Sequence, residues 1–286
     1  MSCLRGLIFV LSPLLLLVAP AAAADVPRPE PLLGVSSDGE ACLLGGRLGG
    51  KLAGPAAIAP DLKHGELYNL QNLGERVGVA PAIGTPQAQS NEGGDCSGLW
   101  MQALALDPLR AKQPALAIRS LNGRQGLAPF PVRRLPRADM KARAILAAYL
   151  KSRDIAQPAI NITQALAADF TGDGQDDILI NAHRAARNKE RKGDYSVVIL
   201  QPGASEGQDE AGKAAAPIVI QEELITKNRR FPGNLWINVV VEVLDIDGDN
   251  RPEIVLEGQS LYGGGWEVIR IVDGQAEHAL FCGCEG

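Results

Sequence analysis

The sequence predicts a mainly β protein with one clear helix. Aromatic content is low, at 4 %, while Gly (32) and Pro (19) are plentiful, a balance that favours many short strands and turns over a helical bundle. Beyond residue 160, eight short segments, most of them rich in β-branched residues, alternate with turn residues. A single stretch, Asp139 to Lys151, carries apolar residues at helical spacing instead.

Residues 1–24, "MSCLRGLIFVLSPLLLLVAPAAAA", hold one Arg, a proline-interrupted apolar run and a closing set of small residues. That is the pattern of a secretory signal peptide, with the mature chain starting near Asp25. Cys3 lies inside the leader and no cysteine follows the apolar run, so a lipid anchor has no acceptor. No other segment approaches the roughly 18 apolar residues of a transmembrane helix. The expectation is a secreted or periplasmic protein without a transmembrane segment in its mature chain. Loss of the leader's Arg5 takes the formal charge from −5 to one unit lower, with no basic stripe. Such a chain does not attract nucleic acid.

Residues 25–135 read as a β-rich N-terminal portion. "EACLLGGRLGGKLAG" and "GELYNLQNLGERVGVA" are short runs bounded by glycine, "GGRLGG" being a hairpin turn, since it lacks the strand-to-helix setting of a phosphate loop. "GTPQAQSNEGGDCSG" is a polar loop, and "LWMQALALDP" and "ALAIRSL" are further strands. Residues 136–286 form a second portion that the helix introduces. Ala142, Ile145, Leu146, Tyr149 and Leu150 share one face, Asp139 is placed to cap, and Lys151 and Arg153 stand near the far end. The eight strand segments then run from "INITQALAADF" to "AEHALFC", interrupted at Gly203 to Ala216 by a small, polar insert expected to be mobile.

Two acidic loops punctuate this second portion. "DFTGDGQDDILI" places oxygen side chains at positions one, three, five and nine: Asp169, Thr171, Asp173 and Asp177. "DIDGDNRPEIVL" repeats the pattern with Asp245, Asp247, Asp249 and Glu253. Position four is Gly172 or Gly248 and position six is Gly174 or Asn250, the residue types that best tolerate a left-handed backbone. Acids crowded at every second position repel unless something positive sits among them. Calcium prefers six to eight oxygens at about 2.3 to 2.6 Å, and such a loop can supply them without histidine or thiol. The one, three, five spacing matches an EF-hand loop, with a backbone carbonyl at position seven, that of Gln175 or Arg251. Position twelve, however, is Ile180 or Leu256, and strands rather than helices flank the loop, so position nine closes the cage.

These two loops resemble the calcium loops of FG-GAP and VCBS-type repeats, the blades of integrin alpha-chain β-propellers and of many exported bacterial proteins. The resemblance covers Asn161 to Glu285. It implies FG-GAP-like antiparallel blades in the C-terminal half, with the eight named side chains as ligands of structural calcium between two strands of a blade.

An even number of cysteines, Cys42, Cys96, Cys282 and Cys284, remains after processing. In an oxidising compartment these suggest disulfides, and Cys42 is expected to pair with Cys96 because both lie in the N-terminal half. The C-x-C tail either bridges itself under strain or ties back to that half. "GDCSG" has the form of a nucleophile elbow, but no strand precedes it. His64, His183 and His278 are too scattered for a zinc site. Asn161 opens a glycosylation triplet of little weight. Tyr262 and Trp266 flank three glycines, where aromatics can stack on sugars or peptides, although core or edge packing is the preferred reading.

The functional expectation is an exported, non-catalytic calcium-binding module with a protein or glycan partner. Its competitors are a secreted hydrolase braced by calcium loops and an accessory subunit of the cell envelope.

Overall fold

The computed structural model describes residues 28–37, 39–89, 99–107, 113–121, 124–185, 190–203, 215–228, 235–261 and 263–283. Among these, strands dominate and all three sheets are antiparallel.

The first sheet contains β1 (Glu30–Val35), β2 (Ala41–Leu48), β3 (Lys51–Ala53), β4 (Leu67–Asn72), β5 (Glu75–Ala88), β6 (Trp100–Leu104), β7 (Ala115–Leu121) and β8 (Arg124–Gln125). Its order is β1-β2-β6-β5-β4-β7, and β7 pairs back onto β1, so the sheet closes on itself like a small barrel. Closure leaves no open edge along that circuit. Leu33, Leu43, Tyr68, Leu70, Ala80, Ala82 and Ala117 fill the interior. Many of them are alanines, as a narrow barrel requires. The short helix α1 (Pro55–Ile58) and the turn after it add Ile58, Ala59 and Leu62 to that core. "GGRLGG" runs from β2 into a two-residue turn at Gly49 and Gly50, both left-handed, which joins β2 to β3.

The second sheet has the order β13-β12-β11-β10-β9, formed by β9 (Arg133–Arg134), β10 (Ile162–Ala168), β11 (Asp177–Arg184), β12 (Tyr195–Gln201) and β13 (Ile218–Leu224). The third runs β14 (Ile237–Leu244), β15 (Glu253–Gln259), β16 (Gly264–Val272) and β17 (Gln275–Gly283) in simple succession. All eight strand segments expected beyond the helix are therefore strands, arranged as two four-stranded meanders. Ahead of the helix, Arg133 and Arg134 pair with Ala167 and Leu166 of β10.

Alternation along the strands stacks these layers. Helix α2 (Met140–Ser152) starts where Asp139 accepts the Ala142 N–H at 2.9 Å. It presses Ala142, Leu146, Tyr149 and Leu150 onto Ile178, Ile180, Val197 and Ile199 of the second sheet. The opposite face of that sheet, with Leu166, Leu179 and Val198, meets Val240, Ile254, Leu256 and Ile269 of the third. Val241, Val255 and Val268, on the other face of the third sheet, then meet Leu32, Leu44, Leu116 and Ile118 on the outside of the barrel. Both faces of the third sheet are thus covered, which explains why "INVVVEVL" is nearly continuous in apolar residues.

Three joints lock the stack. Cys42 of β2 is bonded to Cys282 of β17, with a Cα–Cα distance of 6.3 Å and a sequence separation of 240. This corrects the expected Cys42 to Cys96 pairing; Cys96 and Cys284 lie outside the described residues. Nearness in sequence was a poor guide because the outside of the barrel packs on the last meander. Second, the β4–β5 hairpin tip, with Leu73 and Gly74 both left-handed, docks on β14. There the Leu73 N–H bonds Val241 O at 2.7 Å and the Gly74 N–H reaches both oxygens of Glu242 at 3.0 Å. Third, β14 is the edge strand of its sheet: Val240 is in register with Leu256 of β15, and Gln164 of β10 supplies the partner on its open side. Its side chain donates to Val240 O and accepts from Val240 N, each at 2.8 Å. Buried backbone groups require such partners.

Candidate metal centre

Each acidic loop connects the first two strands of its meander, β10 to β11 and β14 to β15. Phe170 and Ile246, at the second position of each loop, are fully buried and anchor it to the core. Positions four and six are left-handed in both: Gly172 (φ 76) and Gly174 (φ 83), then Gly248 (φ 84) and Asn250 (φ 64). The chain curls as the residue types predict.

The two loops share an internal hydrogen-bond scaffold. Asp169 accepts the N–H groups of Gly172 (2.7 Å), Asp173 (3.0 Å) and Gly174 (2.8 Å). Asp245 accepts those of Gly248 (2.8 Å) and Asn250 (3.1 Å). At position five, Asp173 accepts from Gln175 N and Asp249 from Arg251 N, at 2.7 and 2.8 Å. At position nine, Asp177 accepts from Phe170 N and Glu253 from Ile246 N, both at 2.8 Å. These bonds hold part of the negative charge; Asp169 Oδ1 and Asp177 Oδ2 each already accept two N–H groups.

The loops differ at the ninth residue. Asp177 is fully buried and takes three N–H groups, those of Phe170, Thr171 and Gly203, which draw it toward the backbone. Burial still pushes its carboxyl up. Glu253 is one methylene longer and reaches into its loop. Oxygens of Asp245, Asp247 and Glu253 all lie within 4.8 Å of one another. Among the described residues no such group forms around Asp169, Asp173 and Asp177, and Asp249 stays outside the triad, exposed to solvent. Burial, with the charges of Asp247 and Asp249 beside it, raises Glu253 to about 7, although the Ile246 N–H opposes the shift. Asp247 is raised by burial and by Asp249 and Asp245. An all-oxygen triad of this kind is the donor type that a hard cation takes.

The other candidates have structural roles or lie outside the described residues. Trp266 is buried on β16 and stands against Gly34 of the barrel, not in an exposed loop. His64 accepts the Gly84 N–H, His278 contacts Glu267 at 3.0 Å, and burial lowers His183. The Asn161 side chain is engaged with His183 O. "GDCSG", Tyr262 and most of the polar insert lie outside the described residues. Sequence reasoning missed Glu242 and Gln164, whose importance comes from strands that are not neighbours in the chain. No helix among the described residues is long and apolar enough to cross a membrane.

The chain matches no family model, no curated protein sequence and no solved structure.

Proposed function

We propose that this protein is an exported, non-catalytic calcium-binding module, in which the two meanders act as FG-GAP-like blades and a structural cation fastens the tip of the second. The convergence of Asp245, Asp247 and Glu253 within 4.8 Å carries the reading. Asp245 and Asp247 would hold the ion from the loop, Glu253 would hold it from the first residue of β15, and the carbonyl of Arg251 and water would complete the shell. Calcium would supply the positive charge that offsets the repulsion among these acids. The first loop, with its position-three Thr171 and its pinned Asp177, is the weaker site. Presentation of a protein or glycan ligand by the braced blades is the corresponding biological role.

The test is thermal unfolding of the mature protein in calcium and in chelator. A site that binds only the folded state adds about 2.7 kcal/mol at a hundredfold excess over Kd. The expected rise in midpoint with calcium disappears in Asp245→Asn and in Glu253→Gln, and persists in Asp173→Asn. A midpoint insensitive to millimolar calcium overturns the reading.

A further inference from the structure

We propose that a cavity at the end of the third sheet opposite its acidic loop binds one sugar residue of an uncharged glycan. This rests on the binding-module part of the proposed function and not on calcium. The cavity, of about 190 Å³, lies between β13 and the third sheet. It is smaller than the roughly 300 Å³ at which drug-sized sites begin, and suits a single pyranose ring.

Its walls combine what a pyranose presents, an apolar ring face and an equatorial belt of hydroxyls. Trp236 supplies an aromatic wall, and Phe281 stands at the mouth, 46 % exposed. Glu223 fixes Trp236 by accepting its backbone N–H at 3.0 Å. Asn238 is only 7 % exposed and lines the cavity. Its backbone carbonyl is taken by Asn181 at 2.6 Å, yet among the described residues its carboxamide has no hydrogen-bond partner. A carboxamide that opens into the cavity both donates and accepts, as adjacent hydroxyls do. Glu267 is oriented through one oxygen, which contacts Gln221 at 2.7 Å and His278 at 3.0 Å. That leaves its second oxygen for another hydroxyl.

Glycine makes the cavity possible. A Cβ at Gly258 would stand 2.8 Å from the Trp236 ring and 2.9 Å from Asn238 Oδ1. Gly258 and Gly265 also border a second cavity, of about 470 Å³, on the barrel side of the sheet. Glu223 and Glu267 in the wall disfavour anionic sugars, since like charges repel across a low-dielectric cleft.

Isothermal titration of the mature protein with cellohexaose, maltohexaose and chitohexaose tests this, with a hexauronate and a lysine-rich decapeptide as comparison ligands. At least one neutral hexaose should bind saturably, and should bind equally in calcium and in chelator. Trp236→Ala and Asn238→Ala should each weaken it about tenfold or more, the loss of about 1.4 kcal/mol. Asn238→Ala controls for misfolding, because it removes only a side chain that makes no bond. Absence of binding by all three hexaoses, undiminished binding in both variants, or binding of the peptide or hexauronate alone overturns the assignment. None of these results bears on the calcium-dependent midpoint, so the two readings fail separately.

Discussion

The Arg251 side chain lies across the backbone of Gly172: a Cβ on residue 172 would stand 2.8 Å from Arg251 Cγ and 3.1 Å from Nε. The fourth residue of the first acidic loop and the seventh of the second therefore touch, which places the two loops side by side at one end of the stacked meanders. A cationic side chain thus rests over the first loop, whose own carboxylates are largely engaged by backbone N–H groups.

Gly172→Ala should destabilise the protein by more than about 1 kcal/mol, because residue 172 has a left-handed φ of 76 as well as no room. Urea unfolding of the variant measures this. Gly248→Ala shares the left-handed φ but has nothing within 4 Å of its Cβ, so its loss should be smaller.

Gly34→Ala should be among the most damaging substitutions. A Cβ there would lie 2.2 Å from Trp266 Cδ2, between two layers that both belong to the core. Overpacking of this kind costs about 1 to 3 kcal/mol or more, and the expected readout is a lowered denaturation midpoint with Trp266 fluorescence shifted to the red.

Peptide mapping of the unreduced protein should recover Cys42 linked to Cys282. Replacing both cysteines by serine should cost about 2 to 5 kcal/mol, read as a fall in the thermal midpoint. A peptide joining Cys42 to Cys96 would contradict the fold described.

Glu242 gives a pH dependence. It is fully buried, and burial raises its carboxyl above the ordinary 4.5, against the opposing influence of Gly74 and Val243 N–H groups and Arg134. Glu75, paired with Arg134, is the nearby acid on the docked hairpin. Because the folded value exceeds the unfolded one, this residue's contribution is fully present below 4.5 and is lost as pH rises through its folded value. Glu242→Gln should remove that part of the slope, so the variant's stability relative to the native chain should improve from pH 4.5 to pH 8 in urea titrations.

Asp139→Ala should cost about 0.5 to 2 kcal/mol, since it deletes the cap on the Ala142 N–H. The loss should appear in the denaturation midpoint.

Local chemistry made much of this legible in the chain. The helix with its Asp139 cap, the eight strands after it, and the left-handed positions four and six of both loops follow from spacing and from residue types that tolerate few alternatives. Sequence also supplied every acid of the candidate centre, but not which acids meet: one methylene separates Glu253, which converges with Asp245 and Asp247, from Asp177, which does not. Tertiary structure alone decided the closure of the barrel through β1 and β7, the Cys42 to Cys282 bond, and the burial of Glu242 and Asn238. Each of these depends on surfaces that meet across long sequence separations, where stacking of layers selects the partner and no local pattern records it.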